Sequence, residues 1–410
     1  FAPKKNPVMW SSQVIKEIAR LSHAGTKFST FTASGAVRRD LESFGFKVDK
    51  RPGFGNKREC LYGAFSGNTS DTGLLPYFEL MPPLSRFSRV AIIGGGIAGA
   101  ALAKALKGKC SKLTIYEQNK GEALEASGNP LALVQPKLSD PRVCFSRFQT
   151  DAYLKAIRNF EEIEGAFVGE RGMISFGRDN YFLDRSIKWV EERILPKEFA
   201  LRLDASDIND ISGVNINSEG IFHSQGGSIN PKIVCKELLS STECRFNVRV
   251  ADLRQEEGEW LLLSKNNIEL GRADAVILAN GINICESNKW SESHISAKRG
   301  QISFVRPTEA SYALKRPISY GGYATPILKR NSGAFHILGS TYDEAQLHKE
   351  SWRKIKRASG VKNLGLLSKR EIGLETIFGK NIIGGRSAIR STTSDRFPIV
   401  GSLFSDHQFR

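Results

Sequence analysis

The stretch "VAIIGGGIAGAALAKAL", residues 90–106, constrains the fold more than any other part of the chain. An apolar run typical of a buried strand leads into Gly94, Gly96 and Gly99, which have G-x-G-x-x-G spacing, and the residues that follow are typical of a helix. A second apolar run, "KLTIYE", ends at Glu117. This order of strand, glycine turn, helix and strand predicts the start of a Rossmann-type α/β domain.

Each of these residues has a chemical reason to be there. The first glycine makes the turn, the second lets a pyrophosphate approach the backbone, and the third lets the helix pack on the strand. The helix N-terminus favours the negative charge of a phosphate. Glu117 stands where a carboxylate binds the hydroxyls of an adenosine ribose. We therefore predict a dinucleotide-binding site, with a purely structural glycine turn as the alternative.

The residues before this motif predict part of another domain. Residues 12–22 have helical spacing, "TKFSTFT" alternates like a strand, and "SGAVRRDLESFGF" predicts a helix capped by Ser34 and ended by Gly45. The strands "KVDKR" and "ECLYGAF" flank the basic loop "PGFGNKR". This order is typical of the C-terminal half of an α/β sheet, residues 1–66. Residues 67–88, rich in turn formers and prolines, predict a linker.

Charge favours a polyanionic partner such as nucleic acid. Lys and Arg number 59 against 43 Asp and Glu, a net charge of +16 at pH 7. The excess is denser in residues 1–88, which hold 13 basic and 7 acidic side chains. A length of 410 residues with 40% hydrophobic content predicts two or three globular domains.

The cysteines and the apolar runs argue against metal and membrane. None of the six cysteines forms a C-x-x-C pair, which favours reduced thiols, a cytoplasmic location and no metal site. The longest uncharged apolar run, residues 90–103, is shorter than the roughly 20 residues of a membrane helix. We expect no membrane span, and the start of the chain carries no export signal.

Further segments carry a resemblance to a known family. They are "EASGNPLALVQPKLS" (125–139), "DAVILANG" (274–281), "KRGQISFV" (298–305), "GGYATPI" (321–327), "HILGSTYD" (336–343) and "GRSAIRSTTSDRFPIVG" (385–401). Together they resemble the FAD-dependent amine oxidases of the glycine oxidase and D-amino acid oxidase type. More closely, they resemble the oxidase half of the bifunctional enzymes that make 5-methylaminomethyl-2-thiouridine in tRNA. "FAPKKNPVMW", "FTASGAVRRDLESFGFKVDKRPGFGNKRE" and "LYGAF" resemble the end of the methyltransferase domain that precedes the oxidase in this family.

The resemblance implies a domain organisation. Residues 1–66 would be the C-terminal part of a class I methyltransferase-like α/β domain, and residues 89–410 an FAD-dependent oxidoreductase with a Rossmann-type FAD-binding domain and an α+β substrate domain. The implied FAD-binding parts are residues 89–165, 220–300 and 380–410, and the implied substrate-binding parts are residues 166–219 and 301–379. The family's S-adenosylmethionine loop would lie before Phe1, and a last glycine-rich segment and helix would follow Arg410.

The resemblance also implies cofactor contacts. Ser127, Gly128 and Asn129 would form a small polar turn that binds a flavin or phosphate edge. Gly281, after the strand "VILA", would let the backbone pass close to the cofactor. Arg299, Gly300 and Gln301 would line the isoalloxazine. The alternatives are an ordinary loop at residues 127–129, a plain strand end at Gly281 and a solvated arginine turn at residues 299–301.

For the substrate, the resemblance singles out Arg390, which aligns with the arginine that holds the substrate carboxylate in related amine oxidases. A planar guanidinium suits that bidentate contact. Tyr323 would add a hydrogen bond at the same carboxylate. An arginine on an exposed strand and a packed tyrosine are the alternatives, and His336 is expected to be structural.

The implied activity is tRNA modification at the wobble uridine by a monomer. The FAD-dependent step, on a CH–NH group, would remove the carboxymethyl group of 5-carboxymethylaminomethyl-(2-thio)uridine. In the intact protein, S-adenosylmethionine would then methylate the freed amine. Two alternatives stay open. A small-molecule amino-acid oxidase would share every flavin motif, and a non-enzymatic RNA-binding scaffold would explain the charge but not Glu117 and the glycine turn.

Overall fold

The computed structural model describes residues 2–53, 55, 57–67, 84–138, 144–192, 199–286, 295–331, 333–345 and 354–401. The chain divides into two compact units, here called the N-terminal unit (Phe1–Pro82 with Gly401–Arg410) and the large unit (Pro83–Val400). Most of the predicted linker, residues 67–88, and the predicted FAD-binding residues 402–410 lie outside the described residues.

The helices and strands alternate along much of the chain. The helices are α1 (Ser12–Arg20), α2 (Gly35–Ser43), α3 (Ile97–Leu106), α4 (Cys144–Glu161), α5 (Asn180–Glu191), α6 (Ala205–Ser212), α7 (Pro231–Leu238), α8 (Glu309–Tyr312), α9 (Arg357–Ser368) and α10 (Leu374–Ile377). Short 3-10 helices cover Pro7–Trp10 and Gly281–Glu286. The strands are β1 (Lys27–Ser29), β2 (Phe46–Pro52), β3 (Glu59–Phe65), β4 (Arg89–Ile93), β5 (Lys112–Glu117), β6 (Ala132–Val134), β7 (Phe167–Val168), β8 (Met173–Ser175), β9 (Leu201–Leu203), β10 (Gly220–His223), β11 (Gly227–Ile229), β12 (Glu243–Phe246), β13 (Asp252–Glu256), β14 (Glu259–Leu263), β15 (Glu269–Ala273), β16 (Ala275–Leu278), β17 (Ile295–Val305), β18 (Ile318–Ser319), β19 (Tyr323–Ala324), β20 (Leu328–Arg330), β21 (Gly333–Gly339), β22 (Asp343–Glu344) and β23 (Ile382–Thr393).

The N-terminal unit is a three-stranded sheet of order β1-β3-β2 with β3 antiparallel to both neighbours. Helices α1 and α2 contribute Ile15, Val37 and Leu41 to a core with Phe46 and Leu61 of the sheet. The predicted order of helix, strand, helix and hairpin is therefore found. Ser34 does occupy the N-cap of α2, but its side chain makes no capping hydrogen bond. The Ser34 backbone instead donates to Thr32 Oγ1 at 3.1 Å.

The large unit begins with the predicted Rossmann-type sheet, four parallel strands in the order β12-β5-β4-β16. Ile92 and Ile115 point to one face and pack with α3 and α7. Ile93 and Tyr116 point to the other face, against the antiparallel meander β13-β14-β15. Because successive strand residues alternate between faces, a sheet covered on both sides reads as a continuous apolar run, and this explains "RVAII".

The large unit also contains a three-stranded antiparallel sheet of order β6-β11-β7 and a ten-stranded mixed sheet. The order of the ten-stranded sheet is β22-β17-β21-β19-β18-β8-β10-β9, with β23 paired to β17 and β20 to β21. Its core packs against α9 and α10 through Leu367, Leu374 and Ile377. Residues 295–300 and 382–393, predicted in the FAD-binding part, belong to this sheet, because β17 continues unbroken from 295 to 305 and β23 pairs along it.

The described residues contain no helix long and apolar enough to cross a bilayer. They also contain no group of three or more His, Cys, Asp or Glu side chains arranged to hold a metal ion. The four cysteines whose side chains are described, Cys60, Cys110, Cys235 and Cys244, are free thiols.

His223 at the end of β10 is buried, and we expect it to make the fold sensitive to acid. It is 1% exposed, its Nδ1 lies 3.2 Å from the Phe199 carbonyl, and burial lowers its pKa to about 4. An unfolded histidine has a pKa near ~6.5, so the unfolded chain takes up a proton first as the pH falls. We expect His223 to make its full contribution to the free energy of unfolding above about pH 6.5. Between about pH 6.5 and about pH 4, the free energy of unfolding should fall progressively by about 3 kcal/mol.

Urea unfolding of the wild type and His223→Gln across this pH range measures the effect. The variant is expected to lose less stability between about pH 7 and about pH 4.5 than the wild type. Parallel pH profiles of the two proteins would contradict the assignment.

Candidate cofactor and substrate site

The glycine turn between β4 and α3 has almost no space for side chains at two of the three glycines of the G-x-G-x-x-G motif. Gly94 has φ 111°, and a Cβ there would lie 2.5 Å from the Ala279 carbonyl oxygen at the end of β16. A Cβ on Gly99 would lie 2.0 Å from the Gly94 carbonyl oxygen and 3.4 Å from Ile92 Cγ2. These two glycines let the turn pack on β16 and the helix pack on the turn.

Gly96 is different, because a Cβ there would approach a single side chain and no backbone atom within 4 Å. It is the N-cap residue of α3, and a Cβ there would contact only Ser127, with Oγ at 3.2 Å. Ser127 Oγ accepts a hydrogen bond from the Ile97 backbone N–H at 3.0 Å, so the hydroxyl keeps its own proton to donate. The helix N-terminus, Gly96 and Ser127 therefore form a cradle that suits a phosphate.

Glu117, the last residue of β5, is 7% exposed and holds the glycine turn against the strand. One carboxylate oxygen accepts from the Gly95 backbone N–H at 2.7 Å. The other accepts from the Asn119 backbone N–H at 2.8 Å and from Asn119 Nδ2 at 2.7 Å. Because each carboxylate oxygen has two lone pairs, the oxygen that accepts from Gly95 can accept one more hydrogen bond. Binding of a ribose hydroxyl by Glu117 therefore stays a prediction.

The turn 127–129 is fixed by Arg386 of β23, a residue that the sequence analysis missed. Arg386 donates to Asn129 Oδ1 at 3.0 Å and to the carbonyls of Leu124, at 2.9 Å, and Glu125. A Cβ on Gly128 would lie 2.6 Å from Arg386 Nη2. Burial lowers the pKa of the Arg386 guanidinium. The sequence did contain a signal for Arg386. It lies four residues before Arg390 in one strand, so the two side chains share a face of that strand.

The end of β16 brings a second polar group to the glycine turn. A Cβ on Gly94 would lie 3.0 Å from the Cα of Asn280. Asn280 Oδ1 is buried and has no hydrogen-bond partner among the described residues. Gly281 follows with φ 61°, a conformation that favours glycine. An unsatisfied buried acceptor next to a phosphate cradle is the kind of group that a bound cofactor would satisfy.

The three residues predicted on β17 do not stay together, because strand residues alternate between faces. Arg299 donates to Gln301 Oε1 at 2.7 Å, to Ser359 Oγ of α9 at 3.2 Å and to the Lys354 carbonyl at 2.8 Å. Arg299 and Gln301 are 2% and 1% exposed, and both face α9 and the residues before it. Gly300 faces the opposite side of the sheet, where Arg390 covers it. Of the three residues, only Gly300 is on the side where the isoalloxazine ring was predicted.

Arg390 lies flat over Gly300. A Cβ on Gly300 would lie 2.4 Å from Arg390 Nη1, so the glycine is required for this placement. Arg390 Nη2 donates to Ser340 Oγ at 2.6 Å and Nη1 to the Thr341 carbonyl at 3.1 Å. Burial raises the pKa of Tyr323 to about 12, while the positive charge of Arg390 acts in the opposite direction. The phenol is therefore protonated at neutral pH and lies within electrostatic reach of the guanidinium.

A cavity of about 660 Å³ joins the cofactor cradle to Arg390. Its polar wall includes Ser127, Asn129 and Arg390, and its apolar wall is made largely by β6 and by one face of α4. The α4 residues, which sequence analysis missed although they follow helical spacing, are Phe148, Gln149, Ala152, Tyr153, Ala156 and Phe160. Glu117, Arg299, Gln301 and Tyr323 do not line this cavity. Apolar walls with a few convergent polar groups are typical of a cofactor or substrate pocket.

The chain belongs to the family of FAD-dependent oxidoreductases, whose sequence model matches residues 89–408. Residues 1–66 match the model of an S-adenosyl-L-methionine-dependent methyltransferase. The whole chain is similar to the tRNA 5-methylaminomethyl-2-thiouridine biosynthesis bifunctional protein MnmC of Magnetococcus marinus, with 29% identity over 429 residues, 100% of this chain and 62% of the relative. It is also similar to MnmC of Pseudomonas entomophila, with 30% identity over 411 residues, 98% of this chain and 61% of the relative. The chain thus spans about six tenths of the length of these relatives.

Solved structures share the fold. Glycine oxidase from Bacillus cereus superposes with a TM-score of 0.56 at 17% identity, over 76% of this chain and 87% of that one. Amadoriase I from Aspergillus fumigatus superposes with a TM-score of 0.58 at 16% identity, over 77% and 79%. The predicted combination of a Rossmann-type FAD-binding domain with an amine-oxidase substrate domain is confirmed.

The residues present fit FAD. The cradle of Gly96 and Ser127 would receive the pyrophosphate, and Asn280, whose Oδ1 has no hydrogen-bond partner among the described residues, lies next to Gly94 of the same turn. The cavity leads from this cradle to Arg390 and has the volume of a site for a cofactor moiety together with a small substrate group.

Proposed function

We propose that the intact protein modifies the wobble uridine of tRNA in two consecutive steps. The oxidoreductase would remove the carboxymethyl group from 5-carboxymethylaminomethyl-(2-thio)uridine to give 5-aminomethyl-(2-thio)uridine. The methyltransferase would then use S-adenosylmethionine to give 5-methylaminomethyl-(2-thio)uridine. The observation that carries the proposal is the presence of both family matches on one chain in the same order as in the MnmC relatives. We further propose a cytoplasmic monomer whose macromolecular partner is tRNA.

The substrate group is a secondary amine that ends in a glycine unit. Bound FAD would supply the chemistry of a hydride acceptor, so that the glycine α-carbon would lose a hydride. The amine nitrogen loses its proton, so that a carbon–nitrogen double bond remains. Water adds to this bond and the carbon–nitrogen bond breaks, which releases glyoxylate and leaves the primary amine on the nucleoside.

Arg390 is assigned to the carboxylate of that glycine unit. Two of its five N–H donors are already committed to Ser340 and Thr341, so the guanidinium is held in place while the others can bind a carboxylate. Tyr323, whose phenol is protonated at neutral pH and whose pKa burial raises further, is assigned to a further hydrogen bond at this carboxylate. Positioning of the amine and its carboxylate is the main task of the protein side chains.

The remaining predicted residues are assigned to the cofactor. Glu117 would bind the adenosine ribose, and the turn formed by Gly94, Gly96 and Gly99 would hold the pyrophosphate together with Ser127. Gly128, Asn129 and Gly281 would line the cofactor through the backbone. Gly300 would serve the isoalloxazine side by leaving room for Arg390 above it, with Arg299 and Gln301 supporting the opposite face of β17.

Mass spectrometry of nucleosides from tRNA incubated with the full-length protein tests the proposal. We expect loss of the carboxymethylaminomethyl nucleoside, gain of the aminomethyl nucleoside and release of glyoxylate, followed by methylation when S-adenosylmethionine is added. Turnover of free glycine or sarcosine with unchanged tRNA would instead indicate a small-molecule oxidase. A purified protein without flavin that still binds tRNA would indicate an RNA-binding scaffold.

The basic loop between β2 and β3 is expected to contact tRNA phosphates. Lys57 and Arg58 are exposed, and Lys57 Nζ lies 4.7 Å from the ring centre of Phe31. Lys57→Glu with Arg58→Glu should weaken tRNA binding and reduce the slope of log affinity against log salt by about 2, because roughly one counterion is released per phosphate contact. Fluorescence anisotropy at several salt concentrations measures both quantities.

A matched control reverses two exposed lysines of the large unit, Lys107→Glu with Lys109→Glu. Both double variants change the net charge equally, so a general charge effect would weaken binding in both. If the loop variant binds tRNA like the wild type, the loop is not part of the interface.

A further inference from the structure

Helix α5 carries a layer of aromatic and guanidinium groups on its outer side. The Arg185 guanidinium carbon lies 5.4 Å from the ring centre of Tyr181 and 5.1 Å from that of Trp189. Arg185 Nη1 also donates to the Tyr181 hydroxyl at 2.9 Å. These three residues are spaced by four, so they share one helix face. Tyr181 is 62% exposed.

The layer continues to the start of the helix. The Arg178 guanidinium carbon lies 3.8 Å from the ring centre of Phe182, and the rings of Phe182 and Tyr181 meet edge to face at 5.8 Å. From Tyr181 to Trp189, planar groups thus follow one another along about two turns of α5, at ~3.6 residues per turn, and Arg178 extends the layer just before the helix.

The buried core residues of α5 lie on the face of the helix opposite to this layer. Leu183 and Ile187 point inward and are 5% and 7% exposed, in a core with Tyr153 and Phe199. The Asp179 carboxylate caps the helix by accepting from the Phe182 backbone N–H at 3.0 Å. A rigid helix that exposes flat side chains on the face away from its core is suited to bind another planar group.

The start of α5 lies next to the segment that leads to the proposed substrate site. A Cβ on Gly321 would lie 3.3 Å from the Cα of Arg178. Tyr323 follows two residues later, and Arg390 acts on the Tyr323 pKa. A polymer whose modified group reaches Arg390 would therefore have its neighbouring units near α5.

Charge alone does not select the partner of this face. Asp179 is paired with Arg178, Glu192 with Lys188, and Glu191 with Arg202, so cations and anions are mixed. Stacking is the stronger feature, because every nucleobase has a flat face that stacks on aromatic rings and on guanidinium planes. Unpaired bases of an RNA loop are such partners.

We propose that the outer face of α5 is a stacking platform for unpaired bases next to the nucleotide that is modified. The proposal rests on the proposed tRNA function and adds the surface that would hold the anticodon loop. It differs from the basic loop in physical origin, since stacking on α5 contributes little to the salt dependence of binding whereas phosphate contacts dominate it.

The test measures binding of an anticodon stem-loop oligoribonucleotide to the full-length protein loaded with FAD. Tyr181→Ala with Trp189→Ala should lower affinity by roughly ten- to a hundredfold, without a change in the salt slope. Tyr181→Phe with Trp189→Phe should keep most of the affinity, because the rings remain. Arg185→Lys should weaken binding although the charge is kept, because the planar group is lost.

Two controls separate the outcomes. Tyr312→Ala removes a ring that is 57% exposed on α8 and should leave affinity unchanged. A fully paired RNA duplex should bind the wild type and the α5 double variant equally. If the wild type binds the stem-loop and the α5 double variant binds equally well, the stacking platform is wrong and the tRNA function stands. If the wild type binds no tRNA or stem-loop, the proposed function itself fails.

Discussion

Gly96→Val is expected to leave the full-length protein without bound FAD. Gly96 caps α3 at the position where the backbone would approach the pyrophosphate, and even a Cβ there lies 3.2 Å from Ser127 Oγ. The two methyl groups of valine would enter the cradle formed by Ser127 and the helix N-terminus. Flavin absorbance and FAD content of the purified variant measure the effect.

The matched control is Gly365→Val on α9. Gly365 is exposed, and a Cβ there meets nothing within 4 Å, so the same change should leave flavin content at the wild-type level. Thermal unfolding of both variants without added FAD tests whether the folds are intact. Wild-type flavin content in Gly96→Val would remove the pyrophosphate from this turn.

Arg390→Ala should lower kcat/KM of the oxidation by roughly ten- to a hundredfold or more, because a desolvated charge-assisted pair contributes about 1.5–3 kcal/mol. Arg390→Lys keeps the charge but loses the planar fork, so its activity should lie between those of the alanine variant and the wild type. Glyoxylate release from tRNA measures the rate.

Three further measurements show whether the loss is specific to the carboxylate. Flavin content should stay normal in both variants, because the cradle at Gly96 does not involve Arg390. Binding of tRNA should weaken far less than turnover, and methylation of tRNA that already carries the free amine should be unchanged. If Arg390→Ala releases glyoxylate at the wild-type rate, the carboxylate is held by another residue.

The sequence predicted the glycine turn and its flanking elements closely, because their geometry is local. The helix predicted after the glycines is α3, which runs from Ile97 to Leu106. A parallel strand covered on both faces requires a continuous apolar run. A turn this tight requires glycine at positions 94 and 99, because a Cβ at either position would collide with backbone atoms. These requirements act within a few residues and are therefore readable in order along the chain.

The resemblance implied that Arg299, Gly300 and Gln301 together line the isoalloxazine. In the structure this run is the middle of β17, and alternation sends the two polar side chains to α9 while Gly300 receives Arg390. Which face of a strand meets the site depends on what packs on each side of the sheet. That information is not contained in the run itself.

By itself the sequence determined the Rossmann-type start, the fold of the N-terminal unit and, through family resemblance, the candidate arginine at 390. Only the tertiary structure decided that Arg386, 257 residues away, fixes Asn129, that α4 forms the apolar wall of the cavity, and that α5 exposes its aromatic layer beside the segment leading to Tyr323. The physical reason is the distance along the chain over which the interactions act. Turns and helix faces depend on neighbours three or four residues away, whereas a site is assembled from strand ends and helices whose contacts arise only when distant segments share one core.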